Sequence, residues 1–328
     1  MLKDATGRVI DDLRISLTDR CNFRCVYCMP AEGLPWLPKR EVLTFEEMLR
    51  LARIFIGLGV RTIRLTGGEP LMRQDIAVLV RGLAALHPEL DLSITTNGFF
   101  LAEAAQPLAD AGLKRINVSL DSLRPDRFER MVRRDGGVLY RVLDGIAAAR
   151  RAGLSPIKLN AVVVRGVNDD EILDFARFGR GHDYQVRFIE FMPLDAQGGW
   201  SMQAVVPGAE ILDRVQAVLP LLPTSPNGHE PATVHCFADG CGSLGVIASV
   251  TQPFCDHCNR VRLTADGHLR TCLFSIQEYD LKGMLRTGAG EDEIADRIVA
   301  AVWKKEPGHK IGQPDFVRPN RSMSTIGG

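Results

Sequence analysis

Cys21-Asn22-Phe23-Arg24-Cys25-Val26-Tyr27-Cys28 is the stretch of sequence around which the rest of the chain is organised. Three cysteines at this spacing fit on one short loop, so their sulfurs can face a single cuboidal iron–sulfur cluster, whose irons are normally held by cysteine thiolates. The loop offers three thiolates to a cluster of four irons, and one iron would therefore be free to bind a ligand other than protein. The stretch predicts a [4Fe–4S] cluster with an open iron.

A structural zinc site is the alternative interpretation of these cysteines, because Cys-x2-Cys pairs are common in such sites. A closed zinc site needs four ligands, however, and normally takes them from two separate pairs. The Cys-x3-Cys-x2-Cys order provides no second pair. Arg20 and Arg24, beside and within the motif, argue against an inert cluster of core cysteines.

The composition is that of an ordinary water-soluble globular chain with one large domain, or a large domain with an appendage. The formal net charge is zero, so no global field favours nucleic acid or an anionic membrane, and neither is expected as a partner. The N-terminus has no apolar segment of the secretory type, and no apolar run approaches the roughly 18 residues of a membrane span. These features predict a cytoplasmic protein.

The eight cysteines divide unevenly along the chain. Six form two tight triplets, which are Cys21, Cys25 and Cys28, and Cys255, Cys258 and Cys272. Cys236 and Cys241 remain as buried or free thiols without a predicted role. Because a reducing compartment disfavours structural disulfides, the clustered spacing indicates metal binding.

From Arg14 onward, short apolar runs alternate with amphipathic stretches, which predicts repeated βα units and a parallel sheet. The predicted strands are Arg14–Leu17, Thr62–Leu65, Leu92–Thr95, Ile116–Leu120, Ile157–Val164 and Val186–Phe191. The predicted helices are Thr44–Leu58, Ile76–Leu86, Leu101–Ala111, Arg141–Ala152, Asp170–Phe178, Ala209–Val218 and Glu291–Lys304. We therefore expect an α/β fold with a partial (βα)6 barrel of the TIM type over residues 1–192, and a C-terminal region over 193–328 packed on the barrel.

Polar residues lie on each predicted strand after the first or directly after it, and we expect them at the end where such folds collect their chemistry. They are Thr66-Gly67-Gly68-Glu69-Pro70, Thr95-Thr96-Asn97-Gly98, Ser119 with Asp121, Lys158 with Asn160, and Arg187 with Glu190 and Met192. Each has an ordinary structural explanation taken singly, such as a glycine turn or a core methionine. Their shared position at one end of successive strands favours a functional site.

The second cysteine triplet flanks Asn259-Arg260-Val261-Arg262-Leu263, and Thr264–Leu269 is predicted to form a hairpin turn. The spacing Cys-x2-Cys-x13-Cys is compatible with a second cluster. It is also compatible with zinc if His257, His268 or Cys241 supplied a fourth ligand. Arg260 and Arg262 alternate, so both can point to one side of an extended segment. The end, Pro319–Gly328, has by composition alone the character of a mobile tail.

With these motifs in view, the chain is similar to the GTP 3′,8-cyclase family of molybdenum cofactor biosynthesis, within the radical S-adenosylmethionine superfamily. The resemblance extends from Arg14 to Gly328. The Cys-x3-Cys-x2-Cys motif alone indicates only the superfamily. The features that indicate the family are the second triplet, the segment from Asn259 to Gly267 and the Gly327-Gly328 end.

The resemblance implies two [4Fe–4S] clusters, one on each triplet, and S-adenosylmethionine on the open iron of the first. It implies S-adenosylmethionine contacts from Tyr27, Gly68, Ser119 and Met192. It implies GTP contacts from Arg14, Arg64, Thr95, Lys158, Arg187, Arg260 and Arg262, with the guanine base on the second cluster. It also implies that Arg14, Arg260, Arg262, Gly327 and Gly328 assist catalysis.

The implied reaction is cleavage of S-adenosylmethionine to a 5′-deoxyadenosyl radical, which removes the 3′ hydrogen of the GTP ribose. Attack of the ribose radical on C8 of guanine, followed by uptake of one further electron and a proton, would then give 3′,8-cyclo-7,8-dihydro-GTP, the product of the first step of the cofactor route. The implied partners are an unidentified electron donor, a second copy of the chain in a homodimer, and the downstream cyclic pyranopterin monophosphate synthase that receives the product.

Two other functions are compatible with parts of the sequence. A radical S-adenosylmethionine enzyme acting on a peptide commonly has a longer and more cysteine-rich C-terminal region than this chain. A zinc-binding module for nucleic acid or a protein partner predicts a basic face and two closed four-ligand sites. Zero net charge and two sets of three cysteines fit that module poorly.

Overall fold

A computed structural model of the protein describes residues 1–194, 198–223 and 229–327. Its strands are β1 Asp12–Ser16, β2 Thr62–Thr66, β3 Asp91–Thr96, β4 Arg115–Ser119, β5 Ile157–Val163, β6 Gln185–Glu190, β7 Thr233–Cys236, β8 Ser243–Ile247, β9 Arg260–Leu263, β10 His268–Arg270 and β11 Tyr279–Asp280. Its α-helices are α1 Phe45–Gly57, α2 Ile76–Ala84, α3 Leu101–Asp110, α4 Pro125–Val132, α5 Val138–Arg151, α6 Ile172–His182, α7 Gly208–Gln216, α8 Lys282–Arg286, α9 Glu291–Trp303 and α10 Met323–Ile326.

The strands of the described residues form one sheet in the order β11–β10–β9–β1–β2–β3–β4–β5–β6–β8–β7. Strands β1 to β6 are parallel neighbours in chain order, joined by helical crossovers. The six predicted strands and the alternating βα organisation are therefore confirmed. The described strands end in two sheet edges, β11 and β7, so their pairing does not close a barrel, and the barrel curvature stays a prediction.

The C-terminal region extends this sheet at both sides. Strand β8 pairs parallel with β6, and β9 pairs parallel with β1. The predicted hairpin is present, because β9 and β10 are antiparallel, with Leu263 opposite Leu269. The division into 1–192 and 193–328 stays a prediction, but the two segments share one sheet. The pairing of β9 with β1 places the second cysteine triplet next to the strand that leads into the first.

Local sequence explains where the first crossover helix begins. Thr44 accepts a hydrogen bond from the Glu47 backbone N–H, and the Glu47 carboxylate accepts one from the Thr44 N–H, which is a capping box. The helix then buries Met48, Leu51 and Phe55 against the sheet. This packing fixes the far end of the loop that carries the first cysteines.

A buried carboxylate joins the C-terminal region to the end of β6. Glu190 accepts hydrogen bonds from the backbone N–H groups of Gly208 and Val250, each at 2.7 Å, and from the Thr251 hydroxyl at 2.5 Å. Since Thr251 lies just before Cys255, this junction sets the position from which the second triplet begins. Within the described residues, no helix has the length and hydropathy that crossing a bilayer requires.

Candidate active site

The loop of Cys21, Cys25 and Cys28 leaves the C-terminal end of β1, as the sequence predicts for a catalytic loop. It is turned on itself by a hydrogen bond from the Cys28 N–H to the Cys25 carbonyl at 2.9 Å. The N–H groups of Arg24 and Val26 donate to carbonyls in the last turn of α4, each at 2.9 Å. Helix α4 therefore supports this loop. This helix was not predicted from the sequence.

The glycine pair after β2 lies against the same loop. Gly68 donates its N–H to the Thr18 carbonyl at 2.7 Å, and a Cβ atom on Gly68 would stand 2.7 Å from the Asp19 carbonyl oxygen. That distance is too short for any side chain, so only glycine allows this close approach of the two backbones. The position predicted to contact S-adenosylmethionine is thus held directly beside the cysteine loop.

Glu69 connects the ends of β2 and β3 to the first triplet. Its carboxylate accepts hydrogen bonds from the Thr96 hydroxyl and the Asn97 N–H, each at 2.7 Å, while the Asn97 amide lies 3.8 Å from the Cys21 sulfur. Burial raises the pKa of Glu69 to about 7, although these hydrogen bonds oppose the rise. The carboxylate is a buried acceptor that orders the rim around the loop.

The other residues predicted to contact S-adenosylmethionine lie at the C-terminal ends of β1, β4 and β6. The Tyr27 hydroxyl donates to the Asp121 carboxylate at 2.7 Å, so the aromatic ring crosses toward the end of β4. Ser119 is the half-buried last residue of β4. Met192 follows β6 and lines the central cavity described next. Their contacts with a cofactor stay a prediction.

The central cavity has walls from three parts of the chain. The sheet contributes Arg14, Arg64, Thr95, Asn160 and Ile189. The C-terminal region contributes Ser249, Phe254, Arg260, Arg262, Lys305 and the three cysteines of the second triplet. The tail contributes Met323. Five of the seven residues predicted to contact GTP are therefore brought together here with the second triplet.

Buried positive charge is concentrated on three adjacent strands. Arg14 is paired in register with Arg64 on one side and Arg262 on the other. Burial and the neighbouring guanidinium groups lower the pKa of Arg14, and burial with nearby Arg260 lowers the pKa of Arg262 to about 10. Like charges buried this close together favour an anion between them.

Polar atoms around the cavity lack partners. Arg14 Nε, Arg260 Nη2, Asn160 Oδ1 and Ser249 Oγ are buried and have no hydrogen-bond partner within the described part of the chain. Buried polar groups are almost always hydrogen-bonded, and exceptions need an explanation such as a missing ligand. Donors on arginines together with acceptors on an amide and a hydroxyl fit a ligand that is both anionic and hydrogen-bonding.

The second triplet lies in an electropositive environment. Burial alone would raise the pKa of Cys258, but the charges of Arg260 and Lys305 outweigh it and lower that pKa to about 6. The Lys305 ammonium group is itself buried and donates to the Arg260 carbonyl at 2.9 Å and to the Thr271 carbonyl. A thiolate is the ligating form of cysteine, so this setting favours metal binding. The position of Lys305 beside the second triplet was not predicted, since nothing in Lys304-Lys305 indicates which lysine is buried.

Neither triplet has the arrangement of a zinc site. Among the described residues, no three His, Cys, Asp or Glu side chains converge on a position that would hold one metal ion. Zinc requires such convergence, whereas a cuboidal cluster takes each thiolate on a different iron. Three thiols on a short loop, with no further acidic or imidazole ligand converging on them, fit the cluster better than zinc.

Lys158 and Arg187, also predicted to contact GTP, do not line the cavity. Their side chains are buried near the start of β5 and β6 and share Glu230 as an ionic partner. Arg115 on β4 adds its positive charge to theirs, as its effect on the pKa of Lys158 shows. The predicted substrate residues therefore divide into a cavity group and a second cationic group.

The C-terminal tail is folded into the site up to Gly327, and Gly328 lies outside the described residues. The Gly327 carbonyl accepts a hydrogen bond from Arg262 Nη1 at 3.2 Å. Burial raises the pKa of Cys28 to about 12, against hydrogen bonds from Ser324 to its sulfur. The tail therefore contacts both the first triplet and an arginine beside the second, and it is not the mobile segment that composition alone indicates.

Arg321 anchors this tail to the β9–β10 hairpin. Its guanidinium donates to both Asp266 oxygens, at 3.1 and 2.8 Å, and to Glu278 at 2.7 Å. Ion pairs with two hydrogen bonds in parallel are the stronger and more directional kind. Neither Arg321 nor Glu278 was singled out in the sequence, because their contact is between segments distant along the chain.

We predict that Arg321→Ala releases the tail and lowers turnover about tenfold, since a partly buried charged hydrogen bond is worth about 1.5–3 kcal/mol. Hydrogen exchange of residues 322–327 should accelerate in the variant. The control is Lys310→Ala, which removes an exposed ion pair to Asp315 on the same segment. Unchanged exchange in Arg321→Ala would show that the tail is held by other contacts.

Two family models match the chain. The Radical SAM superfamily matches residues 15–179, and Molybdenum Cofactor Synthesis C matches residues 184–311. Curated relatives include the GTP 3′,8-cyclase of Streptomyces coelicolor, 49% identical with 100% of this chain and 96% of that protein aligned. The GTP 3′,8-cyclase of Mycolicibacterium smegmatis is 49% identical over 100% of this chain and 92% of its own length.

Solved structures agree on the fold. SuiB of Streptococcus suis bound to its precursor peptide superposes with a TM-score of 0.61 over 96% of this chain and 76% of its own, at 13% identity. An identity this low shows a common fold and gives no support to a peptide substrate for this chain. The full-length similarity to curated relatives, together with both family models, shows that the chain belongs to the GTP 3′,8-cyclase family of radical S-adenosylmethionine enzymes.

Proposed function

We propose that this protein converts GTP to (8S)-3′,8-cyclo-7,8-dihydroguanosine 5′-triphosphate, the first step of molybdenum cofactor biosynthesis. The observation that supports this most is the cavity in which Arg14, Arg260 and Arg262 are buried beside the second cysteine triplet, with unpaired donors on Arg14 and Arg260. Guanidinium groups recognise phosphate through paired hydrogen bonds. A polyphosphate with a hydrogen-bonding base matches that cavity, and the curated relatives carry the same activity in their names.

Cys21, Cys25 and Cys28 would hold the first [4Fe–4S] cluster, and Cys255, Cys258 and Cys272 the second. When bound, the first cluster supplies the electron that cleaves S-adenosylmethionine to methionine and the 5′-deoxyadenosyl radical, which takes the ribose 3′ hydrogen. The protein's part in such chemistry is to bind, orient and exclude water.

The residues around the first loop would orient S-adenosylmethionine. Gly68 would contact the methionine end, since its backbone lies directly against the loop that carries the cysteines. Tyr27, Ser119 and Met192 would contact the remainder from the ends of β1, β4 and β6. Asp121 accepts the hydrogen bond of the Tyr27 hydroxyl and would hold that ring in place.

The arginines would orient GTP for ring closure. An intramolecular attack requires the ribose and base to be held near van der Waals contact, and such positioning is worth several orders of magnitude in rate. Arg14, Arg64, Thr95, Arg260 and Arg262 would bind from the cavity walls, with Lys158 and Arg187 on the phosphates. Gly327 and Gly328 would assist catalysis, as the resemblance implies.

We also propose a cellular compartment, an oligomeric state and protein partners. The protein would work in the cytoplasm as a homodimer, receive electrons from a donor protein and pass its product to a cyclic pyranopterin monophosphate synthase. The resemblance to the family supports these statements.

The experiment is anaerobic loading with iron and sulfide, reduction, and incubation with S-adenosylmethionine and GTP. We expect 5′-deoxyadenosine and a cyclised nucleotide to appear together by chromatography and mass spectrometry. Deoxyadenosine formed equally with and without GTP, and no new nucleotide, would overturn GTP as the substrate. Neither product, from protein with both clusters loaded, would overturn the radical chemistry.

A further inference from the structure

Glu230 places its carboxylate beside Arg187 and Lys158, two cations that the proposed function assigns to the phosphates of GTP. Its Oε2 lies 2.8 Å from Arg187 Nη2, and its Oε1 lies 3.8 Å from Lys158 Nζ. The side chains of Arg187 and Lys158 are 3% and 8% exposed, whereas that of Glu230 is 50% exposed. A carboxylate that is half in solvent therefore reaches inward to two buried cations.

The charges facing this carboxylate come from several strands. Arg187 lies on β6, Lys158 on β5 and Arg115 on β4, and the charge of Arg64 on β2 also acts on Lys158 and Arg187. Arg115 is ion-paired with Asp91 on β3, and Arg187 Nε is bonded to the Gln185 amide oxygen at 2.9 Å. In the part of the chain that the structure describes, Glu230 is the acid that forms an ion pair with Arg187 and Lys158. Without it, the two cations would have a free anion position between them.

A carboxylate and a phosphate are alike in what a guanidinium group recognises. Each offers two oxygens to adjacent N–H donors, and a lysine adds a point charge to either. The exposure of Glu230 means that its side chain can turn into solvent at little cost, while the buried cations stay where the strands hold them. The pair is thus built so that the acid is the exchangeable member.

The neighbour of Glu230 connects this pair to the cavity. Pro231 lines the central cavity, which has a volume of about 160 Å³. Pockets for small ligands usually measure about 300–1,000 Å³, so a nucleotide enters only if part of the wall moves. Because Glu230 and Pro231 are adjacent in the chain, breaking the contact of Glu230 with Arg187 frees that part of the wall.

We propose that Glu230 is an internal placeholder for a phosphate group of the substrate. Its carboxylate occupies the anion position between Arg187 and Lys158, and the triphosphate displaces it on binding. This inference rests on the proposed function, since it takes a nucleoside triphosphate as the ligand. It assigns to Glu230 a role in setting nucleotide affinity, as a competitor for the two cations.

The test is Glu230→Gln, which keeps the shape of the side chain and removes its charge. If the ion pair of Glu230 must break before the nucleotide binds, only the molecules with a broken pair are competent to bind. The apparent Kd is then the intrinsic Kd divided by the fraction of competent molecules. For a half-exposed pair we expect the Kd for GTP to fall about three- to tenfold in the variant. The gain should be smaller for GMP and absent for guanosine, which has no phosphate to take the position.

Binding is measured by anaerobic calorimetry on the protein with both clusters loaded, using GTP, GMP and guanosine as the titrants. Glu230→Ala provides a second variant without an amide that could replace the carboxylate. The control is Glu210→Gln, because Glu210 is similarly part-exposed and pairs with Arg165 and Arg214 on the surface. Its nucleotide affinity should equal that of the unmodified protein.

The outcomes separate the two proposals. If GTP binds the unmodified protein, but binds both Glu230 variants equally well or more weakly, Glu230 is a support for the cations and the placeholder is wrong. If the gain is the same for GTP and guanosine, the segment is a steric obstacle and the electrostatic role is wrong. If no form binds GTP, the proposed function itself fails and the placeholder with it.

Discussion

Cys25→Ala should abolish 5′-deoxyadenosine formation, with a loss of at least about a thousandfold, because removing a member of a catalytic unit removes the function of the whole. Cys25 is the part-buried middle cysteine of the triplet, and burial with nearby Asp121 raises the pKa of its thiol. Two remaining thiolates cannot hold a cluster in a loop this short. The measurement is anaerobic turnover with S-adenosylmethionine, with iron content determined on the same sample.

Cys241→Ala is the matched control, since Cys241 is a free and exposed cysteine outside both triplets. Its iron content and turnover should be unchanged. Cys255→Ala should separate the two sites, losing half of the iron and the nucleotide product while keeping S-adenosylmethionine cleavage. Full activity in Cys25→Ala, or equal loss in Cys241→Ala, would contradict the assignment of the first triplet.

Arg262→Ala should lower kcat/KM for GTP by about 10²–10³-fold, because truncating one partner of a buried charged pair costs roughly 2–5 kcal/mol. Arg262 lines the cavity beside Arg14 and donates to the Gly327 carbonyl, so its loss affects both substrate and tail. Arg262→Lys restores the charge without the planar donors and should recover only part of the loss. Steady-state kinetics over a range of GTP concentrations gives both parameters.

The same substitution should not destabilise the ligand-free protein. Burial and Arg260 lower the pKa of Arg262 to about 10, which means that folding disfavours its charged form at neutral pH. Removing that charge relieves repulsion, so the Tm without GTP should hold or rise, while the stabilisation that GTP confers is lost. Arg165→Ala, which removes a surface pair with Glu210, is the control. A large fall in Tm would mean that Arg262 is structural, and normal GTP kinetics would contradict its substrate role.

The part of the fold that the sequence could predict is the part with a local signal. The cysteine loop, the glycine pair after β2 and the six alternating strands each follow from spacing or hydrophobic pattern, and their predicted bounds lie within two residues of those observed. The hairpin of Arg260–Leu263 with His268–Arg270 was equally evident from its turn. Such features depend on neighbouring residues alone.

What the sequence could not show are contacts between segments far apart in the chain. β9 pairs with β1 across more than two hundred residues, and no local pattern indicates that it joins the same sheet. The sequence around Lys305 and Arg321 is polar, as is usual for exposed residues. In the structure, however, Lys305 donates to the Arg260 carbonyl and Arg321 donates to the Asp266 carboxylate. The pairing of Glu230 with Arg187 likewise depends on two segments meeting in space. Composition alone indicates a mobile tail for the same reason, because small polar residues carry no signal of a contact with a distant residue such as Arg262.

The measurement that most directly tests the account is transfer of deuterium from GTP labelled at the ribose 3′ position. The site is interpreted as a cavity that holds the ribose of GTP near the cofactor bound at Cys21, Cys25 and Cys28. We expect 5′-deoxyadenosine from a single turnover with labelled GTP to carry the deuterium. With unlabelled GTP, the 5′-deoxyadenosine should contain no deuterium. Deoxyadenosine without label, formed alongside the cyclised nucleotide, would contradict the proposed abstraction of the 3′ hydrogen.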